Sequence, residues 1–526
     1  MTFNRRDFLK WGAGSLAWAG PLGMVGRSLA QTNTGGPMAE RLLFVITATG
    51  GGSLTDSFMA VGESECSSPE VANNLIVYPD EFIASVPGTN IRALNTPFGW
   101  STYLGAYPGN GYNQLEFVTK HASDMAVMTV MNSSVNHLVA QQRALNGDGI
   151  LGGQTITEHL AEIYGQNLLL PHVNMGPGGF IRDGNNPQTP EFARAEIVGQ
   201  PHLFPMGTDA LRGMVGAPGA QPFKAPSMGA ELEKGRALLD RARGIRNAAD
   251  DASVFGQTFQ CSPLRTRLLE LREQVTDVEA QNLITNLLMF TESEFDLPAL
   301  GLTGSSAAAE ARAILEQKPL DVPGYPPISP LTDPLMAQTC LAYLLTRFGY
   351  TSAVTLGPSF SPTPSVLHVE PPIAFDYSHN DHVGAQKAMW GRVLEYTDKL
   401  ITLLKATPAD ANGSMWDRSL IYIATDFGRD KIRNEPGQPI QSTPGAPPIN
   451  TGHNLNNGVV LVSPLLKGGL YGGINPDTLM THGFDRITGA ETPNSNMSIR
   501  DIVSIIGQSL DAPFTGMEDI PALKNS

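Results

Sequence analysis

The chain contains few cysteines. It has three in 526 residues, at Cys66, Cys261 and Cys340. An odd number excludes a framework of several disulfides, since at most one bridge can form and at least one thiol stays free. Cys340 lies in an apolar helical run and is expected to be a buried thiol, and Cys66, in a loop, could pair with Cys261.

Positive charge is also scarce. The chain has 35 Lys and Arg against 50 Asp and Glu, a net charge of -15. This balance argues against a protein that binds nucleic acid through its phosphates. Apolar residues make up 41% of the chain, beside 55 glycines and 40 prolines, which predicts a folded protein with many loops.

The first thirty residues have the features of a twin-arginine export signal. Arg5 and Arg6 precede an uncharged stretch from residue 11 to 26, and a small-residue cleavage site ends at Ala30. We therefore predict export through the Tat translocase to the periplasm or beyond. The uncharged stretch is shorter than the roughly 20 residues of a membrane span, and no second long apolar run follows. No permanent membrane span is expected, and a retained anchor is the alternative.

Apolar strand-like runs alternate with helical patterns along the mature chain. Such alternation predicts an α/β fold with a mainly parallel, doubly wound sheet. We expect one domain over residues 31–526, with a loop-rich and helical insertion at about 168–330. The predicted strands cover residues 42–47, 124–131, 351–357, 420–425 and 459–462, and residues 468–473 are predicted to form a hairpin-like turn.

Acidic groups and imidazoles follow several of these predicted strands. Asp426 ends one apolar run, and a loop rich in proline and glycine then returns His453. Open α/β sheets bind ligands at the carboxyl ends of their strands, so both side chains are candidates for a hydrolytic or metal site. The alternative for Asp426 is a turn former or helix cap.

Two other strand ends carry candidates. Gly50 to Gly52 follow the first strand and would let backbone approach a ligand closely, with Asp56 just beyond as a possible metal ligand. Alternatively, Asp56 only caps a helix in a flexible turn. Ser134 and His137 lie at a strand-to-helix junction, where a nucleophile or an anion would meet free N–H groups. Alternatively, these residues only cap and pack.

The densest group of such side chains spans residues 376–382. An extended segment would place His379 and Asp381 on one side, whereas a helical turn would pair His379 with His382. Either arrangement offers O and N ligands for zinc, manganese or iron. The alternative is a short Asp- and His-rich loop with no special role.

Taken as an ordered set, these motifs resemble those of an exported family, the domain-of-unknown-function 1501 family, which is allied to the alkaline phosphatase and sulfatase superfamily. The match spans nearly the whole mature chain and is weakest in the helical middle. Its motifs are the twin-arginine leader, Gly-Gly-x-Ser-x-x-Asp-x-Phe at 51–58, Asn-His...Gly at 136–147, Asp-x-x-His at 376–379, Asp-Phe-Gly-Arg at 426–429, Gly-His at 452–453 and Gly-Gly-x-x-Gly-Gly at 468–473.

The resemblance implies an alkaline phosphatase-like fold and a divalent metal site that hydrolyses a small anionic phosphate or sulfate ester. The metal would be zinc, manganese, iron or calcium. The implied ligands are Asp56, Asp376, His379, Asp426 and His453; the implied catalytic residues are Ser134 or its neighbour Ser133, His137, and Arg429 as an anion clamp.

The chain departs from the family pattern in ways that bear on catalysis. Phe427 stands where the phosphatases carry a histidine, and no Ser or Thr is an unambiguous nucleophile. A complete two-metal ligand set is therefore not visible in the sequence. A non-catalytic fold relative that serves as a binding or cell-envelope assembly protein is the second hypothesis.

Overall fold

The computed structural model describes more than half of the chain. The described residues are 38–96, 112–166, 168, 171–175, 180, 184–197, 334–347, 349, 351–358, 375–411, 413–437, 440 and 448–525. The predicted export signal, most of the predicted insertion and Cys261 lie outside them.

Seven α-helices and seventeen strands form within these residues. The helices are α1 (Pro69–Asn74), α2 (Gln114–His121), α3 (His137–Asn146), α4 (Ile156–Tyr164), α5 (Pro334–Arg347), α6 (His382–Ala406) and α7 (Ile499–Ser509). The strands are β1 (Leu42–Ala48), β2 (Ile83–Ser85), β3 (Arg92–Leu94), β4 (Met125–Met131), β5 (His172–Asn174), β6 (Glu196–Ile197), β7 (Ala353–Leu356), β8 (Pro408–Asp410), β9 (Gly413–Ser414), β10 (Ser419–Thr425), β11 (Gly428–Arg429), β12 (His453–Asn454), β13 (Asn456–Val462), β14 (Gly469–Tyr471), β15 (Gly473–Ile474), β16 (Thr481–Phe484) and β17 (Glu491–Thr492).

Eight strands form one mainly parallel central sheet, in the order β14-β4-β13-β10-β1-β7-β5-β6. Strand β13 pairs antiparallel with both of its neighbours, β10 and β4, and the remaining pairs are parallel. Strands β1, β4 and β10 therefore run in the same direction and end at the same edge. The predicted mixed α/β fold with a mainly parallel sheet is confirmed.

Both faces of this sheet are covered by helices. Along β1, Leu42, Phe44 and Ile46 pack into one hydrophobic core while Leu43 and Val45 pack into another. This alternation follows from the two-residue period of a strand. Helices α2, α5 and α6 contribute to the first core, and α3, α4 and α7 to the second, which explains why the strands are apolar without interruption.

Two segments differ from the sequence-based predictions. The stretch from residue 168 to 197, predicted to be loop-rich, adds β5 and β6 to the central sheet. Residues 469–471, predicted to lie in a hairpin-like turn, form edge strand β14, which pairs in parallel with β4. Glycine-rich and very short strands contain too few apolar residues to be recognised in the sequence. They form because they pair with a neighbouring strand, and that pairing is not visible in the local sequence. Among the described helices, none has the length and apolar character of a membrane span.

Candidate metal centre

A polar group lies at the edge of the sheet where β1, β4 and β10 end. Gly50 and Gly51 follow β1, His137 opens α3 after β4, and Asp426 directly follows β10. The carboxyl edge is where open α/β sheets bind ligands. Three separate strand ends therefore bring their side chains and backbone to one place.

The carboxylate of Asp426 is fully buried in a cradle of N–H groups. Its oxygens accept from the backbone nitrogens of Gly50 at 3.1 Å, Gly51 at 2.7 Å and Phe427 at 3.2 Å. Both glycines have positive φ angles, +95° and +87°, which glycine adopts without strain. The glycine turn thus approaches a side chain of this chain, Asp426.

We predict that Gly50→Ala destabilises the protein more than Gly88→Ala. Both glycines have positive φ, +95° and +84°, but a Cβ at Gly50 would overlap the backbone of Asp376, whereas nothing lies within 4 Å of one at Gly88. The overlap should add about 1–3 kcal/mol to the loss of unfolding free energy. Urea unfolding of both variants measures the difference, and equal losses would contradict the predicted overlap.

His137 lies between two carboxylates. It is the first residue of α3, whose N-cap Asn136 accepts from the backbone of Val139. Its Nδ1 lies 2.9 Å from Asp426 Oδ2, and its Nε2 lies 3.4 Å from Asp376 Oδ1. Burial disfavours the imidazolium, but the hydrogen bonds to Asp376 and Asp426 outweigh it and raise the pKa of His137 to about 9. Because an ionised carboxylate only accepts, Nδ1 donates to Asp426, while Nε2 faces Asp376.

Asp376 and His379 lie on one face of a 3₁₀ helix, Phe375–His379. Residues three apart are eclipsed in a 3₁₀ helix, and His379 Nε2 is 3.4 Å from Asp376 Oδ1. Arg429 Nη2 donates to the same oxygen at 2.7 Å. Burial alone would raise the pKa of Asp376, but its contacts with His137 and His453, together with Arg429, hold it well below its usual range. Asp376 is therefore ionised.

His453 is returned to the site by a short antiparallel ladder. Strand β12 pairs with β11, so that His453 lies opposite Arg429. Its ring stacks on Phe427 with centroids 3.9 Å apart. Its Nδ1 lies 3.0 Å from the carbonyl oxygen of Val135. A carbonyl only accepts, so Nδ1 carries the proton and the lone pair of Nε2 points into the site.

Three imidazole nitrogens converge on one carboxylate oxygen. The Nε2 atoms of His137, His379 and His453 lie 3.4, 3.4 and 3.3 Å from Asp376 Oδ1. Those of His379 and His453 are 2.9 Å apart. Since Arg429 Nη1 donates to His379 Nε2 at 3.3 Å, that nitrogen also presents a lone pair. Imidazole nitrogens are thus gathered within 3.4 Å of one carboxylate oxygen, beside the positive charge of Arg429.

The donor set therefore fits a divalent cation. Within the described residues, one group of three ligand-type side chains has its atoms within 4.8 Å of one another, and it consists of His137, Asp376 and His453. We call these three residues the metal triad. Its side chains are 20–26% exposed, and the neighbouring His379 is 42% exposed. The triad thus has a side open to solvent, as a catalytic metal site requires.

Arg429 lies behind the triad and is fully buried. Its Nη2 donates to the carbonyl oxygens of Gly50 and Phe375 as well as to Asp376. The sequence suggested an anion clamp. In the structure, its guanidinium contacts protein groups and fixes Asp376.

Asp56 and Ser134 have partners outside the triad. Asp56 Oδ1 accepts from Tyr78 Oη at 2.5 Å and faces His382 Nε2 at 2.8 Å. Asp56 is not among the three residues whose ligand atoms lie within 4.8 Å of one another. Ser134 Oγ accepts from the backbone nitrogen of Asn136 at 3.1 Å, in the turn before α3. The remaining candidates, His137, Asp376, His379, Asp426, Arg429 and His453, come together, with Asp426 behind His137.

Gln141 was missed in the sequence. Its Nε2 donates to Asp426 Oδ2 at 3.3 Å. It lies four residues after His137 on α3, so the two side chains share a helix face and reach the same carboxylate. That spacing was the available signal, but polar residues four apart are common on helices.

Comparison with known proteins gave no match. No protein-family model, curated protein or solved structure matches this chain. Its function is therefore inferred from the residues at the sheet edge.

Proposed function

We propose that the chain is an exported metal-dependent hydrolase of phosphate or sulfate esters, with a fold of the alkaline phosphatase type. The observation that supports it is the convergence of the His137, His379 and His453 Nε2 atoms on Asp376 Oδ1. Export by the twin-arginine translocase would place it in the periplasm or outside the cell.

The metal triad supplies two imidazole nitrogens and one carboxylate oxygen. This set favours zinc, manganese or iron, because calcium prefers oxygen ligands throughout. His379 would add a third nitrogen, and a fourth ligand, beside His453. Asp426 holds the Nδ1 of His137 and the Val135 carbonyl holds that of His453, as outer contacts orient metal-bound histidines in known sites.

The surrounding residues suit an anionic substrate. When bound, a divalent cation supplies a Lewis acid that polarises the ester and acidifies the attacking water. Arg429 adds a positive charge directly behind Asp376. His379, 42% exposed, lies on the open side of the site, where an ester would approach the metal.

A second candidate is a non-catalytic binding or cell-envelope assembly protein. The observation that favours it is the position of Asp56, which the superfamily resemblance implied as a metal ligand. It is instead engaged by Tyr78 and His382, so the two-metal arrangement of the phosphatases is not assembled by these residues.

Elemental analysis and an ester screen on the purified mature protein separate the two candidates. We expect near-stoichiometric zinc, manganese or iron, and hydrolysis of an aryl phosphate or aryl sulfate that a chelator abolishes and the metal restores. Protein without bound metal after growth and dialysis with each of these ions would overturn the hydrolase. Bound metal without turnover of either ester class would favour the binding protein.

A further inference from the structure

A second polar group lies buried next to the metal triad. It consists of Asp56, Tyr78, His382, Lys431 and Thr451, all of them buried, and we call it the Asp56 cluster. Asp56 Oδ1 accepts from Tyr78 at 2.5 Å and pairs with His382 Nε2 at 2.8 Å. Buried charges persist only when they are paired and hydrogen-bonded, and the cluster meets that condition.

The cluster has a defined direction of hydrogen bonding. Burial alone would raise the pKa of Asp56, but His382 and Lys431 hold it below its usual range. An ionised Asp56 only accepts, so His382 Nε2 carries a proton toward it. The other ring nitrogen, Nδ1, lies 3.0 Å from Thr451 Oγ1. The same hydroxyl lies 3.3 Å from the carbonyl oxygen of Ser378, so Thr451 Oγ1 bridges His382 and the backbone beside His379.

Thr451 connects this cluster to the metal triad. Its backbone nitrogen donates to Ser378 O at 2.9 Å, next to His379. Its carbonyl oxygen accepts from Arg429 Nη1 at 3.4 Å. Two residues further on, the chain presents His453. The hydroxyl of Thr451 is therefore the side-chain link between the buried cluster and the segment that carries a candidate ligand.

We infer that Asp56, His382 and Thr451 form a positioning relay that holds His453 in the geometry required for metal binding. The inference rests on the proposed metal site. In this arrangement Asp56 does not bind the metal itself. It is connected through two hydrogen bonds, by way of His382, to Thr451 in the segment that carries His453. Removing a residue that orients a metal ligand typically lowers metal affinity 10- to 100-fold.

Zinc affinity of the full mature chain tests the relay. Thr451→Val keeps the side-chain shape and removes the hydroxyl, and we expect the Zn²⁺ dissociation constant, measured by chelator competition, to rise 10- to 100-fold. Thr451→Ser should restore affinity to within a few-fold of wild type, and Asp56→Asn should weaken it as Thr451→Val does. Thr397→Val is the matched control, because it removes a buried hydroxyl on α6 that bonds the backbone of Val393.

Urea unfolding of the metal-free proteins separates positioning from simple stability. A lower unfolding midpoint for Thr451→Val with unchanged Zn²⁺ affinity would overturn the relay while leaving the metal site intact. Equal weakening in Thr397→Val would also overturn it. Wild-type protein that binds no Zn²⁺ or Mn²⁺ would overturn the proposed function, and the relay with it.

Discussion

Replacing Asp376 with alanine should abolish divalent metal binding. Asp376 Oδ1 is the atom on which the Nε2 atoms of His137, His379 and His453 converge. Its removal takes away the anionic ligand, which is also the carboxylate to which Arg429 donates. We expect the Zn²⁺ dissociation constant to rise by at least about 100-fold, with metal content falling to background in elemental analysis. His453→Ala should lose metal similarly.

The chain offers a matched control for each substitution. Asp398 is another partly buried carboxylate, which pairs with His121 Nε2 at 2.8 Å and with Lys120. Asp398→Ala therefore removes a similar carboxylate and histidine pair without touching the triad, and should keep its metal. His482, which pairs with Glu491 on the surface, serves in the same way for His453. Retention of metal in both Asp376→Ala and His453→Ala would mean that any bound ion lies elsewhere.

The main strands could be predicted because each is an apolar run buried on both faces. Strands β1 and β10 were found to within one or two residues, since a short apolar run enriched in β-branched and aromatic residues favours a strand over a buried helix. Strand β13 was found too, but its antiparallel direction was not. Direction depends on how the chain crosses between strands, and an apolar run looks alike either way. The short strands β5 and β6 lacked any such pattern.

The sequence predicted which residues belong to the site better than it predicted how their side chains are arranged. The parallel sheet gathers strand ends at one edge. Asp426 was singled out because it ends a strand, Asp376 because it lies in a polar cluster, and His453 because a long loop returns it after Asp426. Their roles depended on side-chain direction. Asp426 turns inward to a glycine cradle and holds His137, whereas Asp56 turns toward Tyr78 and His382. Neither direction is encoded in local spacing, because both partners come from distant parts of the chain.

Metal-free protein should lose stability as the pH rises from about 6.5 to 9 because of His137. The pKa of a histidine side chain without partners, as in the unfolded chain, is 6.5, and the pKa of His137 in the folded chain is about 9. A raised folded pKa means that the stabilisation is fully present below pH 6.5 and is lost as pH rises through 9. With the side chain 26% exposed, we expect the loss to be about 2–3 kcal/mol of unfolding free energy. Urea titrations at intervals of half a pH unit, in the presence of chelator, measure it.

The effect of His137 must be taken as a difference curve, because a second buried group titrates in the same range. Burial lowers the pKa of Lys431 to about 8. A lysine with a depressed folded pKa adds stability as the pH rises above that value, which is the opposite sign. Lys431 is present in both proteins when wild type is compared with His137→Gln, so subtraction removes its contribution. The wild-type curve should fall relative to the variant between pH 6.5 and 9. Parallel curves would mean that His137 does not carry a proton between Asp376 and Asp426.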